Sequence, residues 1–133
     1  HGPGQLVGYP IFKWNLEGET SVAAIISLLE QWIISTLDDL GIKSSRDDRM
    51  QGVWVDDKKI CSIGLSFLRW VSRHGFSINI DTPSGRVEGL AGCGLESETT
   101  TSLARLDHQI TIEQFTQSLL KNMQNIVKRI ARD

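Results

Sequence analysis

The alternation of bulky and small residues in two neighbouring segments constrains this chain more than any other feature. In KICSIGLSF (59–67), Cys61, Ile63, Leu65 and Phe67 share one face of an extended strand, and Ser62, Gly64 and Ser66 share the other. In GFSINI (75–80), Phe76, Ile78 and Ile80 lie opposite Ser77 and Asn79. A period of two specifies a sheet with one packed face and one face lined by small side chains. Two uses of that small face stay open: contact with solvent, or room for a ligand. A glycine inside a strand, such as Gly64, often marks close approach by another group.

The rest of the chain supplies what covers the bulky face. Val22, Ile25, Ile26, Leu29, Trp32, Ile33, Leu37 and Leu40 recur at helical spacing. Thr20 or Ser21 can cap that helix and Gly41 can end it. Asp38 and Asp39 oppose the dipole at its C-terminus, so packing has to hold it. A second helix is predicted from Thr111, with Thr111 and Gln114 as a capping box. Its apolar stripe is Ile112, Phe115, Leu119, Met123, Ile126 and Ile130, and Lys128, Arg129 and Arg132 suit its end. GVWV (52–55) reads as a strand. So does QLVGYPIF (5–12), with Pro10 at an edge or strand end. The four tryptophans are read as core or rim packing. With 133 residues, 40% hydrophobic and 23% charged, the chain fits one domain over 1–133.

Charge and cysteine usage narrow the function classes. The formal net charge of −2 gives no general attraction to nucleic acid or to an anionic membrane. No apolar run approaches the length of a membrane span. Cys61 alternates with apolar residues and reads as packed core. Cys93 lies between two glycines in LAGCGLE (90–96), where backbone N–H groups can approach a reacting centre. A thiol there is either structural or a nucleophile whose oxyanion those amides would hold. Both cysteines read as reduced thiols. No metal site is expected, because His1, His74, His108 and the cysteines form no close ligand pair. His74 reads as structural and His108 as a solvated loop residue. Nor does the chain carry the phosphate-binding G-x-x-x-x-G-K-[ST] loop.

Four blocks resemble the lipoyl(octanoyl) transferase family. They are HGPGQLVGYPI (1–11), GVWVDDKKICSIGL (52–65), RWVSRHGFSINI (69–80) and CGLESETTTSLARL (93–106), and together they span nearly the whole chain. The resemblance implies an α/β fold like the catalytic domain of biotin and lipoate protein ligases, a mixed sheet flanked by helices. It implies transfer of an octanoyl group from octanoyl-acyl carrier protein to a lysine of a lipoyl domain, in lipoate biosynthesis. The lipoyl domains concerned are those of 2-oxoacid dehydrogenases and of the glycine cleavage H protein. Cys93 matches the family's acyl-thioester nucleophile, and Lys59 matches its partner lysine. Ser62, Ile63 and Gly64 match one substrate-binding segment, Gly75, Phe76 and Ser77 another, and His1 the end of a third. Because Ile63 and Phe76 belong to the bulky faces, backbone contacts are expected there. No cofactor is implied, and the compartment implied is the cytoplasm, or a mitochondrion or plastid in a eukaryote.

Two departures stand out. Gly92 occupies a position where the family usually has proline, and DTPSGRVEG (81–89) replaces an Asp-Leu-x-x-Phe-type segment. The family also has a substantial part before HGPGQ, so the resemblance implies a C-terminal portion of such a domain, with its early strands and one pocket wall outside this chain. Two other readings compete. One is an ATP-dependent lipoate or biotin ligase, which would not need Cys93. The other is an inactive remnant that still binds its partners.

Overall fold

The computed structural model describes residues 4–47, 51–81 and 101–127. Its centre is a four-stranded sheet built from β1 (Gln5–Gly8), β2 (Gly52–Val55), β3 (Lys58–Leu68) and β4 (Val71–Asn79). The spatial order is β1-β4-β3-β2. All three pairings are antiparallel, so the sheet is not mixed among the described strands. Two-residue connections make this possible. Asp56–Asp57 joins β2 to β3 and Arg69–Trp70 joins β3 to β4, all four residues having positive φ. Such turns carry the twist that antiparallel strands need, and they normally use Asn or Gly. Arg69–Trp70 contains neither, so no residue marks the turn, and β4 starts four residues earlier than the sequence reading of 75–80 placed it.

β1 is shorter than the expected run 5–12. It stops at Gly8, just before Pro10, which has no N–H to continue the ladder. The chain then touches the sheet again where Lys13 bridges Val71 and Trp14 N–H donates to the Trp70 carbonyl at 2.8 Å.

Two helices cover one face. Helix α1 (Val22–Asp39) begins at Ser21, whose side chain accepts from Ala24 N–H, and it ends before Gly41 at φ +79°. Helix α2 (Ile112–Ile126) opens with the expected capping box between Thr111 and Gln114. Ile25, Leu29, Trp32, Ile33 and Leu37 of α1 join Phe115, Leu119 and Met123 of α2 in one buried cluster with Val53, Ile60, Cys61, Ile63, Phe76 and Ile78 of the sheet. Trp32 meets the Phe76 ring edge-on at 5.8 Å, and its Nε1–H donates to the Leu119 carbonyl at 2.8 Å. That one side chain therefore touches both sheet and helix with its polar atom satisfied.

Packing also outweighs the misplaced acids of α1. Each dipole mismatch costs about 0.3–1 kcal/mol, while each buried Leu, Ile or Phe contributes roughly 1.5–3 kcal/mol. Helix α2 reduces the mismatch further, since Asn122 donates to Asp39 Oδ2 at 2.7 Å and Lys121 lies 3.9 Å from it. Ile112 departs from its predicted stripe and is exposed, and Val127 takes up the buried position at the far end. Ile130 and the basic run Lys128, Arg129 and Arg132 lie outside the described residues. Of the tryptophans, Trp14, Trp32 and Trp54 are buried and Trp70 is exposed.

Candidate active site

A β-bulge decides where Lys59 points. β2 pairs Gly52 with Ser62 and Val53 with Cys61, but Trp54 with Lys59 and Val55 with Lys58. One extra residue therefore sits in β3 between the pairs. Strict alternation from Cys61 would set Lys59 on the helix side. With the bulge, Ile60 and Cys61 both face the helices, and Lys59 takes the face of its partner Trp54. Lys59 Cε reaches to 3.0 Å from the point where a Cβ on Gly52 would stand. The lysine is only 2% exposed, so it is not the surface turn residue that its neighbour Lys58 suggests.

From Lys59 the small face runs along the sheet in rungs. The first aligns Gly52, Ser62, Ser77 and Val7 across all four strands; the next is Gly64 with Gly75, then Ser66 with Arg73. Ser62, Gly64 and Ser66 are exposed, and Gly75 and Ser77 half-buried. At Gly64 no described atom lies within 4 Å of an added Cβ, so the packing of the sheet does not require a glycine there. At Gly75 it does, since a Cβ would overlap the Gly8 carbonyl oxygen. The two glycines thus serve different ends: Gly75 lets β1 close against β4, and Gly64 keeps the face low.

Ile63 and Phe76 do not line this face. Both side chains are buried among the helices, so only their backbone borders it. His1 and Cys93 lie outside the described residues, as does most of DTPSGRVEG. The chain re-emerges at Thr101, whose N–H donates to the Lys59 carbonyl at 2.9 Å, while Leu103 N–H donates to the Asn79 carbonyl. His74 is exposed with φ +64°, and His108 is half-buried in the stretch before α2.

Two buried polar residues bear on the site: Asn79, read in the sequence only as part of the small face, and Glu30, not singled out there. Asn79 accepts from Gln5 Nε2 at 2.8 Å and donates to the Thr101 carbonyl at 3.1 Å, joining β1, β4 and the returning chain. Glu30 of α1 accepts from Gly52 N–H and from Arg46 Nε, each at 3.1 Å. Asn79 is hinted at by a polar residue alternating with Ile78 and Ile80. Glu30 carries no such signal, because an acid beside an apolar stripe usually marks its solvated edge.

Cys61 is a core thiol. Burial pushes its proton affinity well above the ordinary thiol range; the Lys59 ammonium opposes that shift and the Glu30 carboxylate adds to it. A thiol protonated in the fold and ionised once unfolded stabilises the fold below about pH 8.5, its unfolded value. Above that pH the contribution is lost at about 1.4 kcal/mol per pH unit. Urea unfolding from pH 8 to 10.5 is expected to show this fall in the parent and not in Cys61→Ala. Cys61 is also expected to resist alkylation until the chain unfolds.

The arrangement has known counterparts. The Lipoyl protein ligase A/B catalytic domain family matches residues 1–124. An octanoyltransferase of Solibacter usitatus is 38% identical over 126 residues, 95% of this chain and 56% of that protein. One of Novosphingobium aromaticivorans is 35% identical over 135 residues, 98% of this chain and 60% of that protein. The chain thus spans somewhat over half the length of these curated relatives. Among solved structures, the bi-partite lipoate protein ligase of Thermoplasma acidophilum superposes with a TM-score of 0.72 at 12% identity, over 100% of this chain and 55% of that one. The biotin protein ligase of Aquifex aeolicus gives 0.59 at 15%, over 78% and 45%. These likenesses carry the fold, an antiparallel sheet with helices on one face. The family match covers that sheet, both strands of the small face and most of α2, and by it the chain belongs to the lipoyl protein ligase A/B catalytic domain family.

Proposed function

We propose that this chain is the part of an octanoyltransferase that carries its reacting groups, and that it moves an octanoyl group from octanoyl-acyl carrier protein to a lysine of a lipoyl domain. The acceptors in this reading are the lipoyl domains of 2-oxoacid dehydrogenases and the glycine cleavage H protein, in the cytoplasm or a mitochondrion or plastid. The observation that carries it is the buried Lys59, turned by the bulge onto the same face as Ser62 and Gly64. The octanoyltransferase relatives add to it.

In the proposed reaction the Cys93 thiolate, paired with the Lys59 ammonium, attacks the carrier's thioester carbonyl, and the carrier thiol leaves with the proton that Lys59 gives up, which leaves Lys59 as the neutral amine. The octanoyl group then sits on Sγ of Cys93 and lies along Ser62, Gly64, Gly75 and Ser77, with His1 belonging to a third substrate-binding segment. The acceptor amine attacks that thioester, Lys59 takes the amine's proton, and the Cys93 thiolate departs as the amide forms. The thioester supplies the driving force, so neither ATP nor a metal takes part. General acid–base help of this kind contributes about 10²–10⁴-fold.

Intact mass after incubation with octanoyl-acyl carrier protein tests the reading. An octanoyl adduct is expected on the parent and on Cys61→Ala, and none on Cys93→Ser. Lys59→Ala should form amide product at least about a hundredfold more slowly. Labelling from free octanoate that depends on ATP would instead favour the ligase reading. A folded chain that binds a lipoyl domain yet takes up no octanoyl group would be a binding remnant.

A further inference from the structure

We propose that Glu30 is a positioning residue for Lys59, pinning the Gly52 backbone on which the lysine stem packs and setting a buried negative charge beside it. The proposal deepens the octanoyl-transfer reading, in which Lys59 accepts the proton. Three observations carry it. Glu30 is 8% exposed, an unusual position for a carboxylate unless its charge is matched. Its two oxygens are divided, Oε1 to Arg46 Nε and Oε2 to Gly52 N–H, each at 3.1 Å. Gly52 in turn stands against the lysine side chain, with Lys59 Cε 3.0 Å from the place of a Cβ.

The division matters because Gly52 opens an edge strand. Its N–H finds its partner in the Glu30 carboxylate, and that bond fixes where β2 begins. A charged acceptor on a buried N–H holds it more strongly than a neutral one. Arg46 completes the unit. Its Nη2 donates to the Ser27 carbonyl at 2.9 Å, so the guanidinium is tied to α1 as well as to the carboxylate. Gly52 is thus the link between the two side chains, bonded to the Glu30 carboxylate on one side and packed by the Lys59 stem on the other. Glu30 of α1, Arg46 of the loop before β2, Asp56 and Asp57 of the β2–β3 turn, and Lys58 and Cys61 of β3 are ionisable groups described at this end of the sheet.

Chemically, a carboxylate near an amine favours its protonated form, and a cation on that carboxylate weakens the effect. Glu30 and Arg46 then act as a graded pair that sets how readily Lys59 takes up and releases a proton during transfer.

The test uses lysine labelled with ¹³C at Cε, the Lys59 signal being assigned through Lys59→Arg. Glu30→Gln keeps an acceptor for Gly52 N–H and removes the charge; its Lys59 titration is expected to fall by roughly one pH unit. Arg46→Gln, at a largely exposed side chain, is expected to move the titration the other way. Opposite movements in two folded variants would not arise from a structural role alone. A Lys59 midpoint unchanged in both would overturn the proposal. The acid limb of octanoyl transfer is expected to follow the Lys59 midpoint. A limb that stays fixed while the midpoint moves would still support Glu30 as the positioning residue, and would overturn Lys59 as the proton acceptor.

Discussion

Gly64→Leu is expected to keep the fold and lose acyl transfer. Gly64 is exposed in the middle of β3, and no described atom lies within 4 Å of an added Cβ. A leucine there meets no steric obstacle from the sheet. Removing a strand glycine also recovers backbone entropy, so stability should stay level or rise by up to about 1 kcal/mol. The same side chain would stand in the low floor between Ser62 and Ser66, where the acyl chain is proposed to lie. A displacement of about 1 Å at a reacting centre costs on the order of a hundredfold, and a leucine displaces far more than that. The measurement is a pair: urea unfolding, and initial rates of octanoyl transfer. A variant with full activity would place the acyl chain elsewhere.

Gly75→Ala is expected to do the reverse and strike the fold first. Its Cβ would overlap the Gly8 carbonyl oxygen and come to 3.0 Å from Pro10 Cδ. The obstacle is backbone, so β1 has to move away from β4. Overpacking of this kind typically costs about 1–3 kcal/mol, and the upper end is expected because no rotamer change can relieve it. Hydrogen exchange should localise the loss, with the β1 amides exposed while those of the β2–β3 pair stay protected. The two glycines face each other across β3 and β4. Opposite outcomes at Gly64 and Gly75 would separate a ligand surface from a packing requirement within one rung.

That contrast also marks what could be read from residue order. The helices were legible because their signals are local: Ser21 and Thr111 cap where their side chains allow, and Gly41 ends α1 at a positive φ. The bulky and small faces were legible because alternation is a property of one strand at a time. What was not legible depends on two strands together. The bulge at Ile60 arises from the register of β2 against β3, and it alone reverses the face of Lys59. The turn at Arg69–Trp70 carries none of the usual turn residues, so the first part of β4 was missed. Glu30 was not singled out in the sequence, because its partner is an edge N–H that β2 brings within 3.1 Å of it. For the site itself, the family resemblance singled out Lys59, Ser62, Gly64, Gly75 and Ser77, and the fold brings these onto or beside one face. Ile63 and Phe76 it turns inward.

The central claim is that the small face of the sheet, with Lys59 at one end, receives the octanoyl group. An octanoyl-acyl carrier protein bearing a diazirine at the chain terminus tests it most directly. After brief incubation and irradiation, peptide mapping is expected to find the label on the segments 62–66 and 73–77. Label found instead on α2, or on the outer side of α1, would contradict the account.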